Sequence, residues 1–123
     1  MERKKGYRAV EDCIFCKIAR GEIPSKKVYE DDDVIAFFDV SPQAKKHILV
    51  IPRIHMEDAL VCHSHSPSLL TKLLDTAIEV AKNEGLSETG FRIATNTGAD
   101  AKQSIRHLHF HVLGGGPLSE RIG

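Results

Sequence analysis

An α+β fold with a mainly antiparallel sheet is predicted for this 123-residue chain from three features. The apolar segments run helix, three strands, helix, two strands, without the strand–helix alternation of a parallel sheet. "SPSLLTKLLDTAIEVAKNEG" repeats its apolar residues every three or four positions, the period of a helix with one buried face. "RHLHFHVL" alternates polar and apolar residues strictly, the period of a strand.

Taken in order, residues 1–11 are polar, lack periodicity and read as a flexible tail, leaving 12–123 as one domain. "EDCIFCKIARG" predicts a short helix capped by Asp12, with Ile14 and Ile18 on one face and Gly21 as its stop. "KKVYE" and "VIAFFD", separated by "DDD", predict a hairpin. "HILVIP" is an unbroken apolar run, as expected of a strand buried on both faces and closed by Pro52. "CHSHS" reads as a polar loop, although Cys62, His63 and His65 also offer a weaker metal reading. The main helix then starts with Ser66 as cap and Pro67 at its first position, and Gly85 stops it. Leu69, Leu70, Leu73, Leu74, Ala77, Ile78 and Ala81 form its core face. "FRIATN" is a strand, "TGADAKQS" a loop, and "RHLHFHVL" the last strand.

Composition excludes several functions. Seventeen basic residues balance seventeen acidic ones, so no charged surface for nucleic acid or membrane is expected. No apolar run is long enough to span a bilayer. The N-terminus has no apolar secretory segment, and a reducing cytoplasmic location is the default expectation. Cys13, Cys16 and Cys62 are a poor disulfide framework.

The chemistry is concentrated at His107, His109 and His111. In a strand they share one face about 6.6 Å apart, while Leu108, Phe110 and Val112 face the core. A neutral imidazole can attack phosphorus and form a covalent intermediate. The middle residue, with a neighbour on each side, is the natural attacker. Histidines two apart on a strand can equally ligate zinc. Just upstream, Asn96, Gly98 and Ser104 offer hydrogen-bond donors suited to phosphate.

With "DVSPQA", "HILVIP" and "QSIRH" in order before it, "HLHFHVLGG" resembles the signature of the histidine triad (HIT) family of nucleotide hydrolases and transferases. The similarity runs from about Cys13 to Gly115, and Gly114–Gly115 resembles its Hint branch, the purine nucleoside phosphoramidases. The resemblance implies a HIT-like fold, with five antiparallel strands and two helices, in a homodimer that joins two sheets. It implies His109 as the nucleophile, supported by hydrogen bonds from His107 and His47. His111 would orient the nucleophile through its backbone carbonyl and meet the phosphate with its side chain. Asn96 and Ser104 match phosphate contacts, with Ser104 beside the leaving group, and Asp39 matches the carboxylate that holds the ribose. Phe15, Ile18, Phe37 and Val40 match the apolar slot for the purine. Taken alone, Asp39 also suits a turn, His47 a buried strand start, and the apolar residues a plain core.

The implied reaction is hydrolysis of a purine nucleoside 5′-phosphoramidate through a nucleotidyl-histidine, needing no redox cofactor or catalytic metal. Cys13 and Cys16, with the equivalents of His47 and His107, hold a structural zinc in some relatives; two small apolar residues on the first helix is the other reading. His55 reads only as a loop residue. Ala101–Lys102, Arg106 and a C-terminus without tryptophan depart from the family pattern on the leaving-group side. A dinucleoside polyphosphate hydrolase and a nucleotide-binding scaffold or sensor are the rival functions.

Overall fold

The structure is a computed structural model that describes residues 12–121; the predicted tail over 1–11 lies outside the described residues. Its elements are α1 (Ile14–Ala19), β1 (Lys27–Glu30), β2 (Val34–Phe38), β3 (Lys46–Pro52), α2 (Ala59–His65), α3 (Pro67–Asn83), β4 (Phe91–Ala94) and β5 (Phe110–Gly114). The five strands form one sheet in the order β1-β2-β3-β5-β4, and each neighbouring pair is antiparallel. This is the predicted α+β architecture.

The sheet has a core on each face. Val34, Ala36, Ile48, Val50, Leu108, Phe110 and Val112 pack against Leu73, Ala77, Val80 and Ala81 of α3. Ile35, Phe37, Leu49 and Ile51 point the other way and meet Phe15 and Ile18 of α1. β3 therefore has apolar side chains on both faces, which explains its unbroken apolar run. Burying Phe15 contributes about 1.5–3 kcal/mol and fixes α1 to the face that carries the histidines.

The structure departs from the sequence reading in four places. A third helix, α2, occupies the predicted "CHSHS" loop: Asp58 caps it by accepting the Val61 N–H at 3.0 Å. It spans seven residues and buries only Cys62, so it shows no apolar stripe. Second, α1 is capped by Cys13, whose Sγ accepts the Cys16 N–H at 3.4 Å, and not by Asp12. Third, Leu74 and Ile78 of the predicted core face are 43% and 39% exposed, because the sheet covers only the Leu73–Ala77–Val80 side. The fourth departure lies at the last strand. Predicted over 106–113, it joins the ladder only at Phe110, and β4, predicted over 91–96, ends at Ala94. Side chains and a loop take the backbone groups a ladder would use. The Leu108 N–H donates to the Met56 carbonyl at 2.6 Å, and Thr95 Oγ1 donates to the His109 carbonyl at 2.8 Å. The sheet opens where the predicted chemistry sits.

Candidate active site

His107, His109 and His111 all turn toward α1, as the alternation requires, but they do not share one environment. Phe15 packs edge-on against the rings of both His107 and His109, with centroids 5.7 and 5.2 Å away. His109 and His111 line a cleft of about 460 Å³, within the size range of small-molecule sites. His107 points away from that cleft into the protein.

The hydrogen bonds assign the proton positions. His109 Nδ1 lies 2.8 Å from the His107 carbonyl and must donate to it, because a carbonyl only accepts. The lone pair of a neutral His109 is then on Nε2. His47 Nδ1 accepts the Gln43 N–H at 3.0 Å, so His47 carries its proton on Nε2 and donates it to His111 Nδ1 at 2.8 Å. His111 is thereby left with a proton on Nε2. Asp39 Oδ2 stands 3.5 Å from His47 Nε2, while its Oδ1 accepts the Ser41 N–H at 2.8 Å. The backbone and one loop thus prepare a lone pair on His109 and a donor on His111.

Burial keeps these rings neutral. It holds His109 below the ordinary histidine range, against the pull of its bond to the His107 carbonyl and of Asp39. It also lowers His47, with Asp39 opposing. His111 is pushed down to about 4, by burial first and then by His109 and His47. The sign for stability follows: an unfolded histidine takes up its proton near pH 6.5, whereas folded His111 resists until about 4. Between these values the unfolded state binds more protons, so stability falls as pH drops through this window. The urea midpoint is expected to be lower at pH 5 than at pH 7, and His111→Gln should reduce that difference. An equal difference in both proteins would remove His111 as a cause.

The remaining expected residues fall into two groups. Phe15, Ile18, Phe37, Asp39, Val40 and Ser104 line the cleft with His109 and His111. Val40 stands at its rim, 96% exposed. Asn96 braces the preceding loop, its Nδ2 donating to the Ala101 carbonyl at 2.8 Å. The support of the nucleophile differs from expectation: the orienting carbonyl belongs to His107, not His111, and His47 bonds His111 rather than His109.

Sequence reasoning missed several contributors. Thr95 fixes the backbone of His109. Gln103 closes the 98–103 loop, accepting the Gly98 N–H at 3.0 Å and donating to the Glu57 and Ile105 carbonyls. Ile23, Ser25 and Lys26 also line the cleft, Ile23 packing against the Phe15, Ile18 and Phe37 cluster. Their only sequence signal is proximity to the first helix.

A second cluster lies behind the first. Cys13 Sγ is 3.3 Å and Cys16 Sγ 3.6 Å from His107 Nδ1, and Cys16 Sγ is 3.4 Å from His55 Nδ1. These four residues form a compact metal-capable group that holds His55 where His47 was expected. His47 belongs to a separate group with Asp39 and His111. The physical reason is register: His47 opens β3, while His55 follows its far end, beside Pro52, whose carbonyl is 2.9 Å from His107 Nε2. The Cys62 reading finds no support, since Cys62 Sγ turns to the Ser66 carbonyl and His63 and His65 are exposed.

An antiparallel sheet that opens around a strand-borne imidazole, with its lone pair aimed at an apolar cleft, defines a class of proteins built on a histidine triad. The chain belongs to the HIT domain family, whose model matches residues 20–118. It is 44% identical over 112 residues to the purine nucleoside phosphoramidase of Escherichia coli K12, covering 91% of this chain and 94% of that one. A histidine triad protein from Clostridium difficile superimposes with a TM-score of 0.86 at 43% identity, covering 99% of this chain and 100% of that one. A HIT family hydrolase from Clostridium thermocellum gives 0.87 at 39% identity, over 92% and 98%.

Proposed function

We propose that the protein hydrolyses purine nucleoside 5′-phosphoramidates to the nucleoside monophosphate. The observation that carries this reading is the bond from His109 Nδ1 to the His107 carbonyl, which leaves Nε2 as a fixed nucleophile facing the cleft. The E. coli relative named above supports the choice of substrate.

His109 Nε2 attacks the α-phosphorus, a P–N bond to histidine forms, and the P–N bond to the leaving amine breaks. The amine takes up a proton as it leaves, at the end of the cleft where Ser104 stands. The Nε2–H of His111 meets charge on the non-bridging oxygens, the electrostatic contribution that dominates such reactions. Water then cleaves the nucleotidyl-histidine and restores the imidazole. Asp39 accepts the ribose hydroxyls, and Phe15, Ile18, Phe37 and Val40 take the purine.

The cysteine–histidine cluster fits a structural zinc. A tetrahedron with the usual Zn–S and Zn–N bond lengths places sulfur and nitrogen about 3.5 Å apart, and the three separations here are 3.3, 3.4 and 3.6 Å. His107 Nε2 donates to the Pro52 carbonyl, so Nδ1 is the free ligand atom, oriented as metal-bound histidines usually are. Cys13, Cys16, His55 and His107 would hold the ion and clamp α1 to the sheet; its contribution is rigidity, with no step of the reaction assigned to it.

The protein is read as a cytoplasmic homodimer that binds neither nucleic acid nor membrane. Cys13, Cys16 and Cys62 form no disulfide among the described residues, which suits a reducing compartment, and the balanced charge offers no polyanion surface. Among the described residues no helix is long and apolar enough to cross a membrane. β4 has one neighbour in the sheet and an unpaired edge on which two sheets can join.

Steady-state turnover tests the substrate. A higher kcat/KM is expected for guanosine or adenosine 5′-phosphoramidate than for diadenosine polyphosphates. The reverse order would favour the polyphosphate hydrolase.

A further inference from the structure

Cys13 and Cys16 take no part in the proposed reaction, yet they are placed to react with each other. Residues 14 and 15 are helical, which sets the two Cα atoms about 5 Å apart, inside the roughly 4.4–6.8 Å that disulfides span. Their Sγ atoms already lie within 4.8 Å of each other. Cys13 is partly exposed and Cys16 is buried behind it. An accessible thiol beside a resolving one is the arrangement of peroxide-sensitive cysteines. Cys62 is buried in the core on the opposite face of the sheet and is out of their reach.

Both sulfurs serve His107. Its Nε2 donates to the Pro52 carbonyl at 2.9 Å, so Nδ1 carries the lone pair, and Cys13 Sγ and Cys16 Sγ stand 3.3 and 3.6 Å from it. In the metal-free chain a thiol S–H is the donor to that lone pair. A disulfide has no S–H. His107 is fully buried, so oxidation strands an acceptor away from water, which favours any movement that finds it a partner. The backbone of the same residue supplies the carbonyl that orients His109 Nδ1 at 2.8 Å, so the nucleophile is disturbed with it. A disulfide also takes two of the four ligands from the metal-capable cluster. That cluster ties Cys16 to residues 39 and 91 positions away. The disulfide closes a ring within one helical turn, where a cross-link restrains the unfolded chain least.

We propose that Cys13 and Cys16 are a reversible oxidation site, at which a hydroperoxide forms a disulfide that dismantles the metal-capable cluster and suppresses turnover. Cys13 Sγ attacks the terminal oxygen of the hydroperoxide and the O–O bond breaks. The Cys13 thiol proton goes to the departing oxygen, which leaves as an alcohol or as water. Cys16 Sγ attacks the sulfenic sulfur, and the hydroxyl leaves as water with the second thiol proton. The sulfurs lose two electrons and the peroxide gains them. A thiol reductant reverses the change by exchange. The disulfide stands on the cysteines alone; the loss of turnover rests on the hydrolase reading above, and the loss of metal on the zinc reading.

The test treats the full, metal-free wild-type chain with one equivalent of hydrogen peroxide and maps the product by peptide mass spectrometry. The expected product is a Cys13–Cys16 disulfide, lighter by two hydrogen atoms, with Cys62 unchanged. Dimedone should trap sulfenic acid on Cys13, both in Cys16→Ser and in wild type labelled during oxidation. The oxidised chain should lose zinc binding by metal analysis and turn over phosphoramidate at least about fivefold more slowly, the low end for an unpaired buried acceptor. Dithiothreitol should restore both. A different disulfide, first oxidation at Cys62, or a Cys13–Cys16 disulfide that leaves turnover undiminished would overturn the proposal. Absence of turnover in the reduced chain would sink the hydrolase reading alone, and the mapped product and the zinc response would then decide this one.

Discussion

Replacing His109 by alanine should lower kcat for a nucleoside 5′-phosphoramidate by a factor on the order of 10⁴ or more, with the fold retained. The size follows from the role: removal of a covalent nucleophile leaves only binding and electrostatic stabilisation. In the proposed reaction His109 Nε2 is the prepared lone pair in the cleft, whereas His107 is turned away and His111 presents a proton. The substitution removes the Nδ1 bond to the His107 carbonyl, but Thr95 still holds the His109 carbonyl. Far-ultraviolet circular dichroism and nucleotide affinity should therefore change little while turnover collapses. Residual turnover within about tenfold of wild type would mean that another group attacks. For a pure scaffold, partner interaction would survive the substitution and the wild type would show no turnover to lose.

The second large effect concerns the metal-capable cluster, and it separates the structure from the sequence reading. Zinc at about 1,000 times its dissociation constant stabilises a folded chain by roughly 4 kcal/mol, which for a domain of this size raises Tm by on the order of 10 °C. Wild type loaded with one zinc per chain is expected to show this rise, reversed by chelation. Cys16→Ser and His55→Ala should both lose the zinc response. His47→Ala should keep it, because His47 is engaged with Gln43 and His111. The opposite pattern, zinc lost with His47 and kept without His55, would restore the ligand set expected from sequence. Scanning calorimetry and metal analysis on the same samples read both quantities.

The contrast between His47 and His55 shows what the sequence could carry. Period-two alternation placed His109 and His111 on one face and Leu108, Phe110 and Val112 on the other, and the two cores reproduce that division. The α3 periodicity located a helix but could not say how wide a stripe the sheet would cover, so Leu74 and Ile78 emerged exposed. α2 was invisible because one buried residue, Cys62, makes no pattern. His55 follows a proline in irregular backbone, where no periodicity relates it to Cys16, 39 positions earlier. It reaches the cluster only because β3 ends beside His107. The carbonyl that orients His109 was equally out of reach, since it requires the chain to leave the ladder before Phe110. Where local pattern decided the structure, the sequence was legible. Where hydrogen bonds between distant loops decided it, as at Thr95, Gln103 and Gln43, it was not.

The most direct measurement is to quench the wild-type chain during turnover of a purine nucleoside 5′-phosphoramidate and locate the added nucleotide by tandem mass spectrometry. The expected result is a single nucleotidyl adduct on the imidazole of His109. An adduct on His107, His111 or His47, or turnover with no adduct on a histidine under conditions that trap one in a known histidine triad hydrolase, would contradict the account.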